Sequence, residues 1–200
     1  MKRSSTPFGV IFDTLCVNVK ELLAPGGPVI VGIDGRCASG KTTLAERLAA
    51  RFHAPVIHMD QFFLRPHMHT PERLSQPGGN VDKERFYEEV MAPLCAGLPC
   101  TYRPFDCHRG ELTEPIKIPE SYVYIIEGTY SLCPELWRHY DLRVFLTVES
   151  EEQLRRIEKR NGPQGAETFR ARWIPLEEAY FNAFPIHRDC DMVIDTTHLF

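Results

Sequence analysis

The chain has no excess of positive charge. Its 23 lysines and arginines are outweighed by 27 aspartates and glutamates, a formal net charge of −4. This excludes a global basic field of the kind that draws a protein onto nucleic acid or an anionic membrane. A local basic site stays open, because net charge carries no information about clustering. No run of about 18 apolar residues occurs, so no membrane span is expected. The stretch Phe8 to Leu23 is interrupted by Asp13, Asn18, Lys20 and Glu21, and lacks the pattern of a secretory signal. The seven cysteines are odd in number and contain no CxxC pair, which argues against a disulfide framework or a structural zinc site. Reduced thiols and a cytoplasmic location are expected. The histidines form no HExxH or other compact ligand spacing, and none is assigned to a metal. There is no internal repeat, no low-complexity tract and no Asn-Lys-x-Asp guanine-reading motif.

What remains is ordinary globular material: 200 residues, 43% hydrophobic and 25% charged, enough for one domain with a small appendage. Sixteen prolines and thirteen glycines imply many chain breaks. Apolar spacing predicts an opening helix over Val10–Ala24, an extension ahead of the main domain. Val29–Ile33 is short, β-branched and nearly continuous, the pattern of a buried strand. Further strands are expected at Val56–Met59, Tyr122–Ile126, Leu142–Val148 and Met192–Ile194. Helices are expected at Lys41–Phe52, at Asp82–Ala92 with Pro93 ending it, at Ser150–Asn161 with Ser150 as N-cap, and at Ala166–Phe184 with a kink at Pro175. Alternating strands and helices indicate an α/β protein. The expected fold is a three-layer sandwich with a central, mostly parallel five-stranded sheet. Residues 64–121 are expected as acceptor-side insertions, and residues 150–172 as a lid. In such sheets ligands bind at the carboxyl ends of the strands.

After the first strand stands Gly35-Arg36-Cys37-Ala38-Ser39-Gly40-Lys41-Thr42, followed by Thr43. It fits the phosphate-loop pattern G-x-x-x-x-G-K-[ST]. A chance match in a chain of this length has odds of about 1 in 100 from average residue frequencies, and the strand before it and helix after it reduce them further. The physics calls for these residue types. Glycines let successive N–H groups point at phosphate oxygens, and a helix N-terminus adds positive potential there. Lys41 then reaches the β- and γ-phosphates, and the Thr42 hydroxyl ligates Mg²⁺. ATP or another nucleoside triphosphate, with Mg²⁺, is the expected cofactor pair. Cys37 is either a redox-sensitive thiol or simply a small side chain.

Two acids stand at strand ends. Asp60 is a candidate general base for an alcohol attacking the γ-phosphate, and a substrate and metal contact; an N-cap or turn role is the alternative. Glu127 occupies the Walker-B-like place, as a metal and substrate-side ligand or as a solvated strand-end glutamate.

These pieces resemble the uridine kinase and phosphoribulokinase branch of P-loop kinases. Carrying the resemblance are Gly32-Ile33-Asp34-Gly35…Gly40-Lys41-Thr42-Thr43, Met59-Asp60-Gln61-Phe62-Phe63 and Ile125-Ile126-Glu127-Gly128. Weaker parallels are Asn80-Val81-Asp82, similar to an element that holds ribose hydroxyls, and Arg155-Arg156-Ile157-Glu158-Lys159-Arg160, similar to an arginine-rich lid helix. The resemblance implies ATP- and Mg²⁺-dependent transfer to a primary hydroxyl, with uridine or cytidine as the leading acceptor class. Its nucleobase region departs in spacing. Tyr102, Phe105 and His108 are the nearest matches, and Phe63 is a further candidate for the pocket. Asp82 is open to two roles, a sugar ligand or the cap of the helix beginning near Lys83. Arg156, Arg160 and Arg172 are lid candidates to stabilise the transferring phosphoryl group and exclude water; a solvated face paired with nearby glutamates is the alternative. Pantothenate, nicotinamide riboside or a sugar-like acceptor also stay open, as does a nucleotide-hydrolysing switch protein. The expected partner is a small molecule, with no nucleic acid and no membrane; a homo-oligomer is compatible with the sequence.

Overall fold

The computed structural model describes residues 7–199. Five parallel strands form its centre: β1 (Val29–Gly35), β2 (Val56–His58), β7 (Val123–Glu127), β8 (Leu142–Thr147) and β9 (Met192–Asp195). Their order is β2-β7-β1-β8-β9. The chain leaves β1 for one side of the sheet and later crosses to the other. The order therefore reverses at β1, and the crevice beyond its carboxyl end is the natural binding place.

Alternation along the strands builds a core on each face. Val29, Val31 and Ile33 of β1 face one side, with Val123 and Ile125 of β7 and Val144 and Leu146 of β8. This face is covered by α1 (Pro7–Leu23), through Phe8, Leu15, Cys16 and Val19, and by α2 (Lys41–Phe52), through Leu44, Ala45 and Leu48. Ile30, Tyr124, Ile126 and Phe145 face the other way, onto Phe62, Phe86, Tyr180 and their neighbours. The opening helix is thus one of the layers rather than an appendage outside the packing.

Between β2 and β7 lies a long excursion. A tight 3₁₀ turn (Met59–Phe62) leads to the short helix α3 (Pro71–Leu74). Next comes α4 (Lys83–Phe86), which runs through a π-helical stretch (Tyr87–Met91) into α5 (Ala92–Cys95). Pro93 therefore does not end the helix, as the sequence suggested. A mid-helix proline clashes with the carbonyl four residues back, and the wider π turn just before it relieves that clash. The same device recurs later. A π stretch at Phe169–Trp173 precedes α7 (Ile174–Ala183), which carries Pro175 in its first turn. The expected kink at Pro175 becomes a local widening.

Within the expected insertions, the stretch 97–121 holds two nested antiparallel pairs. β3 (Cys100–Tyr102) pairs with β6 (Ile116–Ile118), and β4 (Phe105–Asp106) with β5 (Glu111–Leu112). Strands of two or three residues are too short for alternation to reveal. Helix α6 (Ser150–Thr168) is interrupted at Gly162, whose φ of 73° and ψ of 172° are non-helical, with Pro163 following. Its N-cap is Glu149 and not Ser150, and no side-chain cap bond forms. Among the described residues, no helix is long and apolar enough to cross a membrane.

Candidate active site

The phosphate loop leaves β1 through Gly35, whose φ is 140°. A Cβ there would sit 2.0 Å from the Leu146 carbonyl oxygen, so only glycine lets β1 and β8 approach this closely. Ala38 and Gly40 adopt left-handed conformations, at φ 57° and 94°, which turn the loop into α2. Side chains pin the loop from three sides. Thr129 donates to Gly35 O (3.0 Å), Thr196 to Ser39 O (2.8 Å) and Arg156 to Ala38 O (3.3 Å). Lys41 is buried, and its Nζ donates to Gly35 O and Arg36 O, both at 2.8 Å.

Beneath the loop lies Asp34, fully buried. Its carboxylate accepts from the N–H groups of Gly35 (2.6 Å), Tyr130 (3.2 Å) and Leu132 (2.9 Å) and from the Tyr180 hydroxyl (3.0 Å). Burial pushes its pKa up to about 6. The Leu132 and Gly35 amides, the Lys41 charge and the Tyr180 hydroxyl pull against that rise. One carboxylate thus ties the loop, the turn after β7 and α7 together.

Above the strand ends opens a cavity of about 850 Å³. It brings together Cys37, Ala38, Gly40, Lys41, Thr42 and Thr43 of the loop with Asp60, Phe63, Glu127, Arg156 and Arg160. Asp60 stands in the 3₁₀ turn after β2. It is open to the cavity, yet protein crowds around it. Burial first, and the Glu127 charge second, raise its pKa, against the lowering influence of His58 and Lys41. An aspartate so raised is a stronger proton acceptor than an ordinary one.

Glu127 is buried at the end of β7. It accepts from the Thr42 hydroxyl (3.1 Å), and His58 Nδ1 lies 2.6 Å from the same oxygen. Its hydrogen bond raises the His58 pKa, against the effect of burial. Gly128, at φ 142°, carries the chain away; a Cβ there would meet Met59 at 2.8 Å. The donor set fits Mg²⁺: one hydroxyl in contact with one carboxylate, and a second carboxylate on the same cavity. This ion takes few protein oxygens and completes its shell from phosphate and water. Among the described residues no cluster of three or more acidic, histidine or cysteine side chains could hold a metal unaided.

Other expected residues go elsewhere. Gly35, Arg36 and Ser39 shape the loop without lining the cavity. Asp82 takes the capping role: it accepts from Arg85 N (3.2 Å) and lies buried between Arg65 (3.3 Å) and Arg85 (3.5 Å). Tyr102 is buried and donates to Gln61 Oε1 at 2.6 Å. Phe105 is buried, His108 is exposed on the β4–β5 turn, and neither lines the cavity. Arg172 is exposed, its guanidinium 4.7 Å from the Trp173 ring centre, also outside the lining. Arg156 is drawn into structure: besides Ala38 it holds Glu152 (2.7 Å), Thr196 O (2.6 Å) and Thr197 O (3.3 Å). Arg160 lines the cavity, its guanidinium 5.6 Å from the Phe169 ring centre, and Arg155 and Lys159 line it too.

Sequence reasoning missed several lining groups. Trp173 packs on Phe63 with ring centres 5.5 Å apart, and Phe169, Thr129 and Glu177 also line the cavity. No local signal marks Glu177 or Trp173; both arrive through long-range packing. Asp34 had one available signal, a charged residue at the inner end of an apolar strand, directly before the loop. Cys37 is resolved as a small, quiet side chain. Burial and the neighbouring Glu177 charge push its thiol up to about 12, so it holds little thiolate at neutral pH.

The same overall fold recurs in solved structures. A protein from Silicibacter sp. TM1040, provisionally named a fructose transport system kinase, superposes with a TM-score of 0.71 at 26% identity, over 92% of this chain and 98% of its own. A provisionally named uridine kinase from Bacillus stearothermophilus gives 0.69 at 24% identity, over 92% and 97%. The chain has the uridine kinase-like P-loop kinase fold. A circularly permuted P-loop protein of Saccharomyces cerevisiae, itself provisionally called a kinase, shares this kinase fold at 15% identity, with a TM-score of 0.69 over 94% and 99%. No family model matches the chain.

Proposed function

We propose that this protein is a metal-dependent ATP:alcohol phosphotransferase acting on a small molecule, with a nucleoside of the uridine or cytidine type as the leading acceptor. One observation carries the reading. The phosphate-loop Lys41 and Thr42 share a single cavity with two carboxylates, Asp60 and Glu127, that stand at the carboxyl ends of neighbouring strands. A nucleotide-hydrolysing switch has no need of a second, proton-accepting carboxylate facing an aromatic wall.

In this mechanism the loop amides and Lys41 bind the phosphates. Thr42 and Glu127 would hold Mg²⁺, which would offset the negative charge of the phosphates. Asp60 orients the acceptor hydroxyl and takes its proton as the oxygen attacks. Arg160, with Lys159, supplies positive charge to the cavity and helps to exclude water.

A second acceptor class has specific support. Asp82, Tyr102 and Phe105, the residues that would read a ribose and a pyrimidine, are all engaged in internal contacts. Phe63 and Trp173 form the aromatic surface instead. This favours keeping pantothenate and sugars such as fructose as rivals to uridine; nicotinamide riboside, which also carries a ribose, is a rival through its base alone. A coupled ADP-release assay across these acceptors decides. Release stimulated many-fold by one acceptor class supports the reading, and release equal to the water background with every acceptor contradicts it.

A further inference from the structure

The phosphate loop contains an anion of the protein's own. Glu177, on α7, is 2% exposed and lines the cavity. Its Oε2 accepts the backbone N–H of Cys37 at 2.8 Å. Its Oε1 accepts from Gln153 Nε2 at 2.6 Å, and the same nitrogen lies 3.1 Å from the Cys37 carbonyl oxygen. Next to it, Glu178 pairs with Arg36, the residue preceding Cys37 in the loop. Consecutive acids of α7 thus grip consecutive residues of the loop, and Gln153 of α6 braces the contact.

Amides of such loops bind phosphate because they present unshared N–H donors. A backbone N–H serves one strong acceptor well. A carboxylate and a phosphate oxygen are the same kind of acceptor, and both are negative. Drawn to the same donor in a partly enclosed site, they repel one another.

We propose that Glu177 is a positioning residue that competes with a nucleotide phosphate for the Cys37 amide. Nucleotide binding thereby displaces the carboxylate and shifts α7 relative to the loop. The inference rests on the nucleotide-binding reading given above and goes beyond it by assigning a coupling between the loop and α7. The helix that moves also follows the stretch Phe169–Trp173, whose two end residues line the cavity. Filling the phosphate site would therefore be felt at the aromatic wall.

The test measures MgADP and adenosine affinities by calorimetry, for the wild-type chain and for Glu177→Gln. Gln153→Ala serves as a second variant, and thermal melting checks that both fold. Glu177→Gln keeps the shape and removes the charge, so MgADP is expected to bind about tenfold more tightly. Adenosine, which carries no phosphate, is expected to bind unchanged. Gln153→Ala, which frees the carboxylate from its brace, is expected to shift MgADP in the same direction by a smaller factor. Amide exchange over residues 174–183 is expected to change on MgADP addition in the wild type and much less in Glu177→Gln. MgADP affinity unchanged or weakened in Glu177→Gln overturns the competition while leaving nucleotide binding intact. Equal gains for MgADP and adenosine overturn it too, since they would reflect a general loosening. Absence of MgADP binding in the wild type removes the nucleotide-binding reading itself, and the proposal with it.

Discussion

The two walls of the cavity are built differently. The phosphate wall is made from the ends of parallel strands, locked by hydrogen bonds to backbone: Asp34, Thr129, Ser131 and Thr196 each hold a main-chain group. The wall proposed to hold the acceptor is assembled from the excursion between β2 and β7 and from residues before α7. It is held by side chains reaching across sequence. Arg73, for one, bonds to Gly79 O (3.1 Å), Val81 O (2.8 Å) and Glu84 (2.7 Å). The first wall demands particular residues at fixed spacing. The second demands only that its pieces fit. Under the function proposed above, chemistry common to many phosphotransferases belongs on the first wall, and acceptor choice on the second.

Substitutions on each wall test the contrast. The largest effect is expected on the phosphate wall. Lys41→Ala should lower kcat/KM by about 10²–10³, the usual cost of removing one charge-stabilising donor; steady-state ADP release checks it. Retained turnover would take Lys41 out of the phosphate site.

On the acceptor wall the expected loss is of stability instead. Asp82→Asn leaves Arg65 and Arg85 facing a neutral group in a buried place. It should cost about 3 kcal/mol in denaturant unfolding, as broken buried pairs do. Acceptor KM should change little under conditions where the variant is folded. A raised KM at unchanged stability would make Asp82 a substrate ligand and redraw the wall.

A pH effect separates the walls further. The native Asp34 pKa, about 6, lies above its unfolded value near 3.8. The folded state therefore binds this proton more tightly, and stability falls as pH rises from about 4 through 6. Asp34→Asn has no such titration. The stability difference between wild type and variant should shrink by about 2–3 kcal/mol over that range, measured by urea unfolding at several pH values. A difference that grows with pH would mean the aspartate is held ionised.

The smallest effect is expected for Arg172→Ala. Its guanidinium is exposed and lies outside the cavity lining. Stability should change by no more than about 0.5 kcal/mol, with kcat close to wild type. A large fall in kcat would give Arg172 a part in lid closure.

How much of this was legible follows the same division. The five strands, the loop, Asp60 and Glu127 could be read because each depends on neighbours within a few residues: a short apolar run, a glycine spacing, an acid at a strand end. Boundaries shifted by one or two residues. Met59, expected in β2, instead opens the 3₁₀ turn that presents Asp60. The acceptor wall was poorly legible. Strands of two residues leave no pattern, and a π turn ahead of a proline reads as a helix end. Trp173 reaches Phe63 from 110 residues away. Arg156 was readable as a cation on a helix. Its absorption by Thr196, Thr197 and Ala38 was not, because those partners come from other elements.

The central claim is that one cavity joins a phosphate loop to a proton-accepting Asp60. Asp60→Asn tests it most directly, with ATP affinity and single-turnover transfer measured on the same sample. The account predicts ATP binding close to wild type, with transfer to the acceptor slowed by about 10²-fold or more. Transfer at the wild-type rate would contradict it, and would leave Asp60 as no more than a turn residue.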